Sequence, residues 1–211
     1  NHIRSYRPKP KVRVEFIEEA AKLINSAQKP FVLFGQGVIL GNAEKEFKAF
    51  IEKTGIPAAW TIMGEGAIPT DHPLNVGMLG MHGNYGPNVL TNEADVIIAI
   101  GMRFDDRVTG RLDKYAKQAK IVHLDIDPAE IDKNVKAEVG VWGDCKETLP
   151  ILTNLVKQNR HEAWVAQFRD YNQQEIDQVI TPELYPAGEE MTMGEVLRTL
   201  NELTGGDAVI V

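Results

Sequence analysis

The chain has 211 residues, enough for one large domain or one domain with a piece of a second. At 43% hydrophobic and 25% charged it sits in the soluble globular range, which excludes disordered, collagen-like and coiled-coil classes. A net charge of −7 argues against a nucleic acid or an anionic membrane as partner of the surface as a whole, leaving room only for a local basic site.

The opening ten residues, with Pro8 and Pro10, read as an extended basic linker, and neither an initiator Met nor an apolar signal core is present. Helical spacing of Ile17, Ala20, Ala21 and Ile24 predicts a helix over residues 14–28, with Glu15, Glu18 and Glu19 in its first turns. A strand over 31–34 then runs into Gly35-Gln36-Gly37, and Asn42 is expected to cap a helix carrying Phe47, Phe50 and Ile51. Residues 58–60 predict a second strand, followed by a long loop over 61–73. A helix over 86–93 leads to strands over 95–100, 121–126 and 137–142, and Gly143-Asp144 opens a helix through Leu149, Ile151 and Leu155. Residues 161–180 predict an amphipathic helix, Thr181-Pro182 a break, and Thr192 the cap of a last helix leading to a strand over 207–211. The abrupt ends suggest an excerpt of a longer protein. Near-continuous apolar strands separated by helices mark an α/β, doubly wound parallel sheet, Rossmann-like in type.

In such sheets ligands bind beyond the carboxyl ends of the strands. The segments placed there are Gly35-Gln36-Gly37, Thr61-Ile62-Met63, the run from Gly101 through Arg103, Asp105 and Arg107 to Val108, Asp125-Ile126, and Asp144-Cys145. Glycines let backbone amides approach a diphosphate, arginines neutralise it, and carboxylates accept ribose hydroxyls, so their convergence describes a dinucleotide site. Leu79-Gly80-Met81-His82-Gly83 adds a bare backbone patch edged by a thioether and an imidazole, suited to a flat ligand. The blander readings are a tight turn at 35–37, a salt-bridged loop at 103–107, a cap at Asp125–Asp127 and a loop turn with a solvated His82. His123, inside a strand, reads as a satisfied core histidine. An NAD site is disfavoured, because Gly41 falls one position late for the glycine fingerprint and Thr61 stands where an acid is wanted. The lone Cys145 forms no intrachain disulfide and lacks partners for zinc; it fits a reducing cytosol, and no base stands beside it in sequence for catalysis. No run approaches the roughly 18–20 apolar residues that cross a bilayer.

The runs Gly80-Met81-His82-Gly83, Gly101-Met102-Arg103-Phe104-Asp105-Asp106-Arg107-Val108-Thr109-Gly110 and Lys120-Ile121-Val122-His123-Leu124-Asp125-Ile126-Asp127-Pro128-Ala129-Glu130-Ile131 resemble the central domain of the acetolactate synthase (acetohydroxyacid synthase) large catalytic subunit. The resemblance implies a linker at 1–11, a central FAD-binding domain at 12–180, and at 181–211 a linker and the start of a C-terminal thiamine-diphosphate domain. It implies an FAD without net redox work, in an enzyme that decarboxylates pyruvate on thiamine diphosphate with magnesium and joins the two-carbon unit to a second 2-oxo acid. On that resemblance residues 35–37 and 61–63 face the dinucleotide, and 79–83 lie by the flavin. Gly101, Arg103, Asp105, Arg107 and Val108 lie by the ribityl and phosphate region, and Asp125, Ile126, Asp144 and Cys145 by the adenosine. It also implies a cytoplasmic homo-oligomer, often with a small regulatory subunit. The Gly-Asp-Gly metal motif of that family does not occur in this sequence, so the chain is expected to be inactive alone. The alternatives are a cofactor-free scaffold domain, a carboligase of related chemistry such as one using glyoxylate, and an NAD-linked oxidoreductase.

Overall fold

The computed structural model describes residues 9–188 and 190–209. Six strands form one all-parallel sheet: β1 (Pro30–Phe34), β2 (Ala58–Trp60), β3 (Asn75–Met78), β4 (Val96–Ile100), β5 (Lys120–Asp125) and β6 (Val139–Trp142), in the order β3-β2-β1-β4-β5-β6. The chain works outward from β1 to one edge, returns, and works outward from β4 to the other. The reversal therefore falls between β1 and β4, where Phe34 stands opposite Ile100. The helices that cover the sheet are α1 (Val14–Ser26), α2 (Gln36–Leu40), α3 (Glu44–Thr54), α4 (Tyr85–Leu90), α5 (Asp106–Thr109), α6 (Cys145–Leu155) and α7 (Glu162–Glu175).

Strand side chains alternate faces, and both faces are apolar because both are covered. On one face Val32, Phe34, Ile98, Ile100, Val122 and Leu124 meet Ile17 and Ile24 of α1, Phe47, Phe50 and Ile51 of α3, and Leu149 and Leu152 of α6. On the other, Phe31, Leu33, Ile97, Ala99 and Ile121 meet Leu90 of α4 and Trp164 and Phe168 of α7. Buried side chains of this size stabilise by roughly 1.5–3 kcal/mol each, so the strand ends project from a rigid body.

The predicted doubly wound parallel sheet is the observed fold. One strand is added and three local expectations are corrected. Residues 75–78 form a strand where the sequence pattern marks no element; it is a half-buried edge strand containing Asn75 and Gly77, so it lacks the apolar run of the others. Asn42 caps nothing: it takes a left-handed conformation with φ 50°, and α3 starts after Ala43 without a side-chain cap. The helix does not break at Thr181-Pro182. A wider π turn over Ile176–Ile180 passes into α8 (Thr181–Leu184), with Pro182 in the first turn of α8. Thr192 does cap α9 (Met193–Leu203), accepting from the Glu195 amide. Residues 207–209 form no strand, and Ile210 and Val211, like residues 1–8 of the expected linker at 1–11, lie outside the described residues.

Candidate functional site at the carboxyl edge

Two loops meet where the strand order reverses. The Gly35 amide donates to the Ile100 carbonyl at 3.1 Å and the Gly37 amide to the Gly101 carbonyl at 2.8 Å. A methyl group at position 35 would lie 2.6 Å from Met102 Cβ, and one at 37 would lie 2.6 Å from Gly101 Cα. The two glycines therefore permit one loop to lie against the other, and their amides are already paired within the protein. Gln36 between them is exposed. Gly101 itself has φ +56°, a left-handed turn that glycine adopts without strain.

The turn after β2 closes over the same place. The Thr61 amide donates to the Phe34 carbonyl at 2.9 Å, and Ile62 and Met63 stand 68% and 56% exposed. After β3, Leu79 is buried, while Gly80 turns at φ +108° against the Arg107 carbonyl, which accepts from the Met81 amide at 2.7 Å. The Asn88 side chain clamps Gly80 by bonding both its amide and its carbonyl. Met81 and His82 are exposed and Gly83 half-buried. The 79–83 segment and the 101–110 segment are thus one construction. A cavity of about 320 Å³ opens along their seam, lined by Gly80, Met81, Arg107 and Tyr115 among others.

Within 101–110 the two arginines are exposed. The Arg103 Nε lies 3.3 Å from Asp105, while Arg107 has no ion-pair partner among the described residues. Asp105 caps α5, accepting from the Arg107 and Val108 amides, and Val108 packs on the second core.

After β5, Asp125 is 9% exposed and accepts from the Asp127 amide at 2.8 Å. Burial pushes its carboxyl above the usual range and holds the imidazole of neighbouring His123 below its usual value, so the histidine is neutral. Ile126 is half-exposed, and its carbonyl accepts from Trp142 Nε1 at 2.9 Å. Trp142 adds an exposed aromatic face at this edge that sequence reading did not single out; its position at the end of the last strand was the available signal.

Asp144 is almost fully buried, caps α6 through the Lys146 amide and pairs with Lys9 Nζ at 2.9 Å. Burial works to raise its carboxyl, but Lys9 and the Lys146 amide outweigh it and hold it below the usual value. Cys145 is buried at the first position of α6. Burial, with Asp125 and Asp144 nearby, pushes its thiol up to about 12, so a thiolate is not formed near neutral pH in spite of the helix start.

All the segments singled out in the sequence therefore reach the carboxyl edge. They divide there into a presenting set, with Ile62, Met63, Met81, His82, Arg103, Arg107 and Ile126 exposed, and a supporting set, Gly35, Gly37, Asp105, Asp144 and Cys145, whose polar groups are internally paired or buried.

Comparison with known proteins bears on what such an edge is for. The model of the thiamine pyrophosphate enzyme central domain matches residues 17–152. The chain belongs to this family. It is 46% identical over 156 residues to the acetolactate synthase of Mycobacterium bovis, covering 74% of this chain and 25% of the relative. It is 41% identical over 217 residues to the acetolactate synthase large subunit of Corynebacterium glutamicum, covering 97% of this chain and 33% of the relative. A probable acetolactate synthase large subunit of Methanocaldococcus jannaschii is 49% identical over 144 residues, covering 68% and 24%. The chain thus spans about a quarter to a third of the length of these relatives. Among the described residues no helix is long and apolar enough to cross a membrane.

Proposed function

We propose that the carboxyl edge of this sheet holds FAD, as the central domain of an acetolactate synthase large subunit. The observation that supports this most is the presenting set itself. Large apolar side chains at Ile62, Met63, Met81 and Ile126 are left exposed along the strand ends, beside two arginines that could meet a diphosphate. A cavity of about 320 Å³ takes little more than one ring system, and a dinucleotide would run from it along the strand ends. The flavin ring is assigned to residues 79–83, the ribityl and phosphates to Arg103 and Arg107, and the adenosine to Asp125 and Ile126. The internal pairing of Gly35, Gly37, Asp105 and Asp144 gives them the role of fixing the loops that present these groups.

In the intact protein the reaction would be the decarboxylation of pyruvate on thiamine diphosphate and magnesium, bound outside this segment, with transfer of the two-carbon unit to pyruvate or 2-oxobutyrate. The FAD would supply no net redox step, and this chain's residues bind and orient it. We assign the intact protein to the cytosol, where the buried, unpaired Cys145 would stay reduced, as a homo-oligomer. Residues 12–180 would be the central domain and 181–211 a linker and the start of the next, in line with the absence of any buried residue in α8 or α9.

One observation favours a second reading, a scaffold without cofactor: the amides of Gly35 and Gly37 are used by the neighbouring loop. Fluorescence titration separates the two. Saturable quenching of FAD by this chain, with no comparable response to NAD, supports the first; absence of binding both here and in the full-length protein supports the second. Acetolactate formed from pyruvate by the chain alone, given thiamine diphosphate and magnesium, would overturn the assignment of catalysis to the missing segments.

A further inference from the structure

The loop that carries Arg103 is held from both sides. On one side lie Gly35 and Gly37; on the other is a side chain that the proposed site does not itself use. His123, in the middle of β5, is fully buried, with Nε2 at 2.9 Å from the Met102 carbonyl. A carbonyl only accepts, so Nε2 carries the ring proton and donates. The same nitrogen lies 3.8 Å from Asp125 Oδ2, and the Phe104 ring meets the imidazole edge-on at a centroid distance of 5.2 Å. Nδ1 is buried and has no hydrogen-bond partner among the described residues. A histidine that served only to fill space would be an expensive choice, because an aliphatic or phenyl side chain leaves no such nitrogen unpaired. What the imidazole supplies that those cannot is the one bond to Met102. Just beyond, the Phe104 carbonyl accepts from Asn134 Nδ2 at 2.7 Å, so the loop is pinned by side chains at the carbonyls of residues 102 and 104, on either side of Arg103.

We propose that His123 is a positioning residue that locks the turn over residues 101–105 through its Nε2–H bond to the Met102 carbonyl, and so sets where Arg103 stands at the strand edge. The consequence for ligand affinity rests on the FAD reading above; the locking of the turn does not. Fully buried, His123 would not itself touch a dinucleotide bound at the edge. It acts by removing alternative conformations of the loop, which would otherwise have to be given up when the ligand binds.

Two variants and one spectrum test this on the 211-residue chain. His123→Phe keeps the aromatic contact with Phe104 and removes the donor; His123→Gln restores a donor at about the reach of Nε2. Amide hydrogen exchange in the ligand-free protein should rise about tenfold or more over residues 101–105 in His123→Phe and return to near the wild-type rate in His123→Gln. FAD affinity should fall about tenfold in the first and recover to within about threefold in the second. Unchanged exchange in His123→Phe overturns the proposal whatever FAD does. Altered exchange with unaltered FAD affinity overturns only the link to the ligand, and a wild-type chain that binds no FAD overturns the FAD reading while the exchange result still decides the lock. Should both variants fail to fold, nitrogen NMR of His123 in the wild type decides: a proton on Nε2 supports the bond, and a proton on Nδ1 overturns it.

Discussion

Gly37→Ala tests the contact on which the site is built. The added methyl would lie 2.6 Å from Gly101 Cα and 2.9 Å from the Gly101 carbonyl oxygen, where ordinary contact begins at 3.4 Å. Both neighbours are backbone, so no side chain can swing aside. The loops must part by roughly 0.8 Å, which stretches the 2.8 Å bond from the Gly37 amide to the Gly101 carbonyl. Overpacking of this kind costs about 1–3 kcal/mol and the weakened hydrogen bond about 0.5–1.5. Position 37 lies within α2, so alanine's better helix propensity returns about 0.5–1 kcal/mol. The net loss is about 0.5–4 kcal/mol, or a fall in Tm of about 1–16 °C for a domain of this size. Gly41→Ala is the graded comparison. Its methyl would meet the Gly37 carbonyl oxygen at 3.0 Å and Asp144 Oδ1 at 3.1 Å, a tight fit that small shifts relieve, so a loss under about 1 kcal/mol is expected. Thermal unfolding followed by circular dichroism measures both. A Gly37→Ala protein as stable as the wild type, with the same affinity for FAD, would show that the two loops are not locked together and would refute the reasoning.

Arg103→Ala and Arg107→Ala should each weaken FAD binding about tenfold to a hundredfold, by fluorescence titration, while Tm stays within a degree or two, since both side chains are exposed. Asp144→Asn keeps an acceptor for the Lys146 amide but loses the pair with Lys9. Because the folded carboxyl titrates below its unfolded value, its stabilisation is complete above about pH 4 and is lost as pH falls through the folded value. The variant should therefore be less stable than the wild type at pH 7, and the difference should shrink in acid urea titrations below about pH 4. Cys145 should resist an aromatic disulfide reagent in the native protein at pH 8 and react with one equivalent after denaturation, as its burial and its thiol at about 12 require; prompt native reaction would contradict the buried placement.

Strands were legible in the sequence where burial on both faces leaves an unbroken apolar run, as in β4, Val96 to Ile100, all of them buried. The edge strand β3 was not, because Asn75 and Gly77 need not be apolar at a half-covered rim, and its existence follows from pairing with β2. The failure at Asn42 has a different cause: a residue suited to capping is also one of the few that accept a left-handed backbone, and the chain uses it for the second purpose. At the candidate site, chemistry at strand ends follows from the strands themselves, so the positions of Arg103, Asp125 and Met81 were accessible. What each group is bonded to was not. That Gly35 and Gly37 press on Gly101 and Met102, and that His123 reaches Met102, are contacts between residues more than twenty positions apart, set by register across the sheet. Trp142 escaped notice for the same reason, since only the β5–β6 pairing lays its indole against the Ile126 carbonyl.

The measurement that bears most directly on the central claim is thermal unfolding of the chain with FAD, NAD and ADP, each at increasing concentration. If the edge is a complete FAD site, FAD at about a hundred times its Kd stabilises the fold by about 2.7 kcal/mol, a rise in Tm of about 5–11 °C, with smaller shifts from ADP and from NAD. A Tm that FAD does not move, in this chain and in the full-length protein alike, would contradict the claim.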